Sequence, residues 1–161
     1  MSVFGAAAWY LELTKGVVNP RLIPIILVEI CKLFKGLEEE GEALIVDPAV
    51  IPSFVDIMKV VVGGDSDERV SDSRVLVFII IAQVCRAGAV EDLVGNDAFI
   101  PAFVDMVKAV EGMDSDELGA DARCNVLSAI TRFFERGGEV AIAQLVGSDV
   151  FIYINKFFNY Q

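Results

Sequence analysis

Apolar residues recur along this chain at helical spacing, most clearly between Val90 and Arg136. Ile100, Phe103, Val104, Val107 and Val110 fall at steps of three and four, which places them on one face of an α-helix. Val126, Leu127, Ile130, Phe133 and Phe134 follow i, i+1, i+4, i+7, i+8 and form a second stripe. The punctuation agrees with both. Gly95, Asn96 and Asp97 end a short helix predicted over Val90–Val94. Pro101 sits in the first turn of the next helix, where a missing N–H costs nothing, and Gly112 ends that helix. The third helix is expected to open at Asp114, with Glu117 as its capping-box partner, and to run to Gly137 and Gly138.

One stretch conflicts with a helical reading. Residues 75–81 (VLVFIII) are rich in β-branched side chains and taken alone would pass for a buried strand. Internal repetition decides against it. Residues 47–61 (DPAVIPSFVDIMKVV) line up with residues 96–110 (NDAFIPAFVDMVKAV) at an offset of 49, and eight of fifteen positions are identical. The same offset carries DSDE from Asp65 onto Asp114 and Arg74 onto Arg123. A third copy opens at Leu145, where LVGSDVFI repeats LVGNDAFI at an offset of 52. The segment from Ile26 to Gly36 fits as the end of an earlier copy at an offset of 51, with Ile30 on Ile81. Residues 75–81 are thus equivalent to 124–130 (CNVLSAI), whose periodicity is helical, and copies of one unit share one conformation. An all-α single domain follows: an incomplete unit over 1–36, full units over 37–88 and 89–138, and an incomplete unit over 139–161.

The short, medium and long helices of each unit, with Ile-Pro opening the second and glycine closing the third, resemble the armadillo repeat. Phe99, Ile100, Pro101, Ala102, Phe103 and Val104 match its second-helix motif, as do Val50, Ile51, Pro52, Ser53, Phe54 and Val55. HEAT repeats, with two helices per unit, are the nearest alternative. The resemblance implies a right-handed superhelical solenoid of about three units, whose third helices line a concave groove for an extended peptide. The offsets exceed the roughly 40–47 residues usual for the family, which predicts extended connections at 63–67 and 112–116. In the family a recurring Asn on the third helix clamps the peptide backbone; its position here carries Lys32, Gln83 and Arg132. One turn earlier stand Val28, Ile79 and Ser128, so the tryptophan ladder of nuclear-import receptors is missing.

Charge and composition then narrow the function. The net charge is −11, which opposes the counterion-release attraction behind most nucleic-acid binding. Against that background Lys32 with Lys35, Gln83 with Arg86, and Arg132 with Arg136 recur near the ends of the third helices. This resembles the basic grooves of catenin-type arrays, which take acidic extended partners. Cations at helix C-termini also complement the macrodipole by ~0.3–1 kcal/mol each and need no ligand for that. Hydrophobic residues reach 55%, with mean hydropathy +0.57. The longest apolar run, 75–82, nevertheless falls well short of the ~18 residues that suggest a bilayer span. The N-terminus lacks a basic region before its apolar stretch and carries Glu12, so a cytoplasmic, or alternatively nuclear, protein is expected.

Catalysis is not expected. The chain has no histidine, which removes imidazole bases, Ser-His-Asp triads and histidine metal sites together. Cys31, Cys85 and Cys124 are far apart and form no CxxC pair, and each reads as a small buried apolar residue. The acidic cluster at Asp114 is no calcium loop, because position five is Leu118 and position twelve is Asn125. No cofactor or metal is therefore expected. Trp9 and Tyr10 read as the core of a capping helix. The leading expectation is a non-catalytic protein-interaction module that takes an extended acidic segment on its third helices. The alternative is a self-associating assembly protein using apolar terminal helices, since the last copy reads as two helices without a third.

Overall fold

A computed structural model of the chain describes residues 23–40, 49, 51–63, 68–114 and 116–159. Among them, eight helices follow one another and no strand occurs: α1 (Ile23–Glu40), α2 (Ile51–Gly63), α3 (Glu68–Arg86), α4 (Val90–Val94), α5 (Phe99–Glu111), α6 (Glu117–Arg136), α7 (Glu139–Val146) and α8 (Val150–Phe157). The strand-like run at 75–81 lies inside α3. Trp9, Tyr10 and the first acidic cluster at Asp65 lie outside the described residues.

Local chemistry sets the boundaries. Asn96 accepts the Ala98 N–H on its side-chain oxygen at 2.9 Å, an Asx turn that ends α4 and leads into α5. Gly112 closes α5, donating its N–H to the Lys108 carbonyl at 3.1 Å. The start of α6 differs from the sequence expectation. Asp116 is its N-cap, accepting the Gly119 N–H at 2.8 Å, and the helix opens at Glu117 instead of Asp114. Asp114 cannot join it, because its carbonyl is folded over the first turn so closely that a Cβ at Gly119 would collide with it. Arg123 Nη2 holds this connection by donating to the Met113 carbonyl at 2.6 Å. α3 ends differently from α6: Gly88 takes a φ of +80°, and Ala89 N–H reaches back to the Val84 carbonyl in a Schellman-type closure. α1 also departs from expectation, running through Gly36 to Glu40.

Helices of successive units pack on one another in rows. α1 lies against α3 and α3 against α6; α2 against α5 and α5 against α8; α4 against α7. Fully buried Phe34, Phe78 and Phe133 belong to the first row, and Phe99 and Phe103 to the second. Phe78 meets Phe103 edge-on at 5.7 Å between centroids, joining the two rows. Burying each such ring contributes on the order of 1.5–3 kcal/mol. The third row is tied in by Glu91 of α4, whose carboxylate accepts the N–H of Gly138, the N-cap of α7, at 2.9 Å.

Candidate functional site

The row α1–α3–α6 carries all six candidate binding residues, and its packing puts their three helices side by side. Lys32 is largely exposed and pairs with Glu29 at 3.3 Å, one turn away on the same helix. Arg132 is half-buried and pairs with Glu135 at 2.8 Å. Both pairs are local and solvent-facing, worth ~0–1 kcal/mol, so an incoming carboxylate can replace them at little cost. Arg86 and Arg136 are exposed in the last turns of α3 and α6, whereas Lys35 is exposed within α1, whose last turn carries no basic residue because the helix continues to Glu40. Gln83 is half-buried, and its side-chain oxygen is buried without a hydrogen-bond partner.

Burial is compatible with two frames for α1. Its buried residues Ile23, Leu27, Ile30 and Phe34 fall on buried Ser73, Val77, Ile80 and Val84 of α3 at a separation of 50, and on buried Arg74, Phe78, Ile81 and Cys85 at 51. At 51 Lys32 stands level with Gln83 and Arg132, and at 50 Leu33 does. Both frames fit because α3 is covered by a helix on each side of the row, so that its buried positions extend over more than one stripe.

The row also carries one thiol per helix, in three environments. Cys85 of α3 is fully buried, and desolvation pushes its pKa up to about 12; Cys31 of α1 is half-buried and raised to about 11 for the same reason. Cys124 of α6 is exposed, contrary to the expectation that all three are buried.

No family model, curated protein or solved structure matches this chain. Among the described residues, no group of three or more acidic, cysteine or histidine side chains is placed to hold a metal ion. No single described helix is long and apolar enough to cross a membrane; α7 and α8 together pass by composition but meet at a bend of 67°. Their inward residues Ala141, Leu145, Val150, Ile154 and Phe157 are buried. A second surface, not resolved residue by residue in the sequence, lies on this last helix pair. Val146 is 55% exposed, Ile152 56% and Phe158 70%. The signal for it was present in the copy LVGSDVFI, whose Val146 and Ile152 answer to buried Val94 and half-buried Ile100 in LVGNDAFI.

Proposed function

We propose that the chain is a non-catalytic, armadillo-like solenoid that binds an extended acidic segment of a partner protein along its third-helix row. Support for the solenoid comes from the neighbouring of equivalent helices in successive units. The observation that carries the binding reading is the placement of Lys32, Lys35, Arg86, Arg132 and Arg136 on three adjacent helices of a chain with net charge −11. The three helices carry nearly equal numbers of acidic and basic side chains, so this row repels an acidic segment less than the rest of the acidic chain does, and its cations supply the local attraction. Gln83 stands half-buried on the middle helix, and since its side-chain oxygen is buried without a partner, a backbone N–H of the ligand would meet it only after the side chain turns outward.

The test is fluorescence anisotropy with extended peptides of graded acidity. Binding is expected to rise with peptide negative charge and to weaken with salt. Arg132→Glu is expected to weaken it by about tenfold or more, and Lys32→Glu by less, because Lys32 is largely exposed and more fully screened by solvent than half-buried Arg132. Equal affinity for neutral and acidic peptides, or no effect of Arg132→Glu in a folded variant, would remove this row as the site.

A further inference from the structure

Val146 at the end of α7, Phe151 and Ile152 on α8 and Phe158 just after it are more exposed than their counterparts one unit earlier. Val146 is 55% exposed where Val94 is 7%; Phe158 is 70% exposed where Met106 is fully buried. Phe151 is half-buried where Phe99 is fully buried, and Ile152 is exposed where Ile100 is half-buried. The earlier set is covered because α7 and α8 stack on α4 and α5. Another helix of the same kind would cover the side of Phe151 and Phe158, and Ile152, about 100° further round α8, borders that side.

Its charges identify which one. Residues 140–161 contain only two, Asp149 and Lys156, so the whole net charge of −11 resides elsewhere and this end is a neutral region of an acidic protein. Asp149, Ile152 and Lys156 are all exposed and stand at i, i+3 and i+7 along α8, one stripe with an apolar centre and opposite charges at its ends. Such a stripe is complementary to itself when reversed. We propose that the chain forms a two-fold dimer through this end face, with α8 antiparallel on α8 of a second copy. Ile152 packs against Ile152 at the axis, and Asp149 of each copy faces Lys156 of the other. Two chains of like net charge can meet here without the repulsion that opposes contact elsewhere. The inference is independent of what the third-helix row binds.

Sedimentation velocity of the full chain from low to high micromolar concentration tests it. A monomer–dimer equilibrium is expected, weakened by about tenfold or more in Ile152→Glu. Asp149→Lys alone places lysine against Lys156 twice, and Lys156→Glu alone places glutamate against Asp149 twice, so each is expected to dimerise about tenfold more weakly. An equimolar mixture of these two variants restores opposite charges at both contacts and is expected to recover association as a heterodimer. Asp149 makes no side-chain cap bond to α8, so its replacement removes none. Circular dichroism checks that each variant folds, and should Ile152→Glu unfold, the mixing experiment stands alone. A wild type that stays monomeric throughout overturns the proposal, as does a mixture no stronger than its components. Wild type that floats with phosphatidylcholine vesicles and never dimerises assigns the face to a membrane and overturns it equally.

Discussion

α3 and α6 are copies of one helix and differ in how many sides of them are covered. α3 lies between α1 and α6, and Ser73, Arg74, Val75, Val77, Phe78, Ile80, Ile81, Val84 and Cys85 are all buried. α6 has α3 on one side only within its row, and its buried positions thin to a stripe of Gly119, Ala122, Val126, Ala129, Ile130 and Phe133. A helix apolar all round is a helix covered all round, whereas a one-sided stripe belongs to a helix with a free face. The run VLVFIII therefore reports position within a stack and not strand conformation, and CNVLSAI is the same element at a less enclosed place. Cys31, Cys85 and Cys124, one per helix of the row, repeat the contrast as half-buried, buried and exposed thiols.

The largest effect that tests this contrast is a cavity. Phe78→Ala in α3 removes a fully buried ring packed on Phe103 and is expected to cost about 3–5 kcal/mol in urea unfolding. Leu127→Ala, at the equivalent and half-buried position of α6, is expected to cost less than half of that. Equal losses would show that α3 is no more enclosed than α6.

Alkaline pH acts next, through the buried thiol. The Cys85 pKa rises in the fold from 9.0 to about 12, so above pH 9 the unfolded chain sheds a proton that the folded chain keeps. Stability from this group is complete below pH 9 and is lost between pH 9 and about 12, with a slope approaching about 1.4 kcal/mol per pH unit. Melting temperature should fall more steeply over that window in wild type than in Cys85→Ala. Parallel curves would mean that Cys85 meets water in the folded state.

Asp116→Ala removes the side-chain cap of α6 and is expected to cost about 1 kcal/mol. Asp114→Ala, outside the helix, should cost less, and the reverse order would restore Asp114 as the cap. Smallest in energy is alkylation at neutral pH: Cys124 should label first with little change in melting temperature, Cys31 more slowly, and Cys85 only on unfolding. Mass spectrometry of a labelling time course reads the order directly.

Much of this was legible before any coordinates. The bounds of α4, the turn at Gly95–Asn96–Asp97 and the end of α5 at Gly112 follow from residues with strong local preferences, and local preferences survive into the fold. The start of α6 was less legible, because the sequence DSDE offers two equally good caps. What selects Asp116 is the close passage of the Asp114 carbonyl over Gly119, a contact that depends on the path of the whole connection. The inward face of α1 was poorly legible for a related reason: in an apolar run only the neighbours reveal which residues face inward.

By itself, then, the sequence determined the repeat, the helical state of each described segment and the placing of cations on third helices, since these rest on spacing and on backbone chemistry within a few residues. Only the tertiary structure decided that Lys32 is exposed where Gln83 and Arg132 are half-buried, that Cys124 faces solvent, and that Val146, Ile152 and Phe158 are uncovered. The same side chain is core or surface according to whether another helix lies across it, and that is a property of the stack, not of the segment.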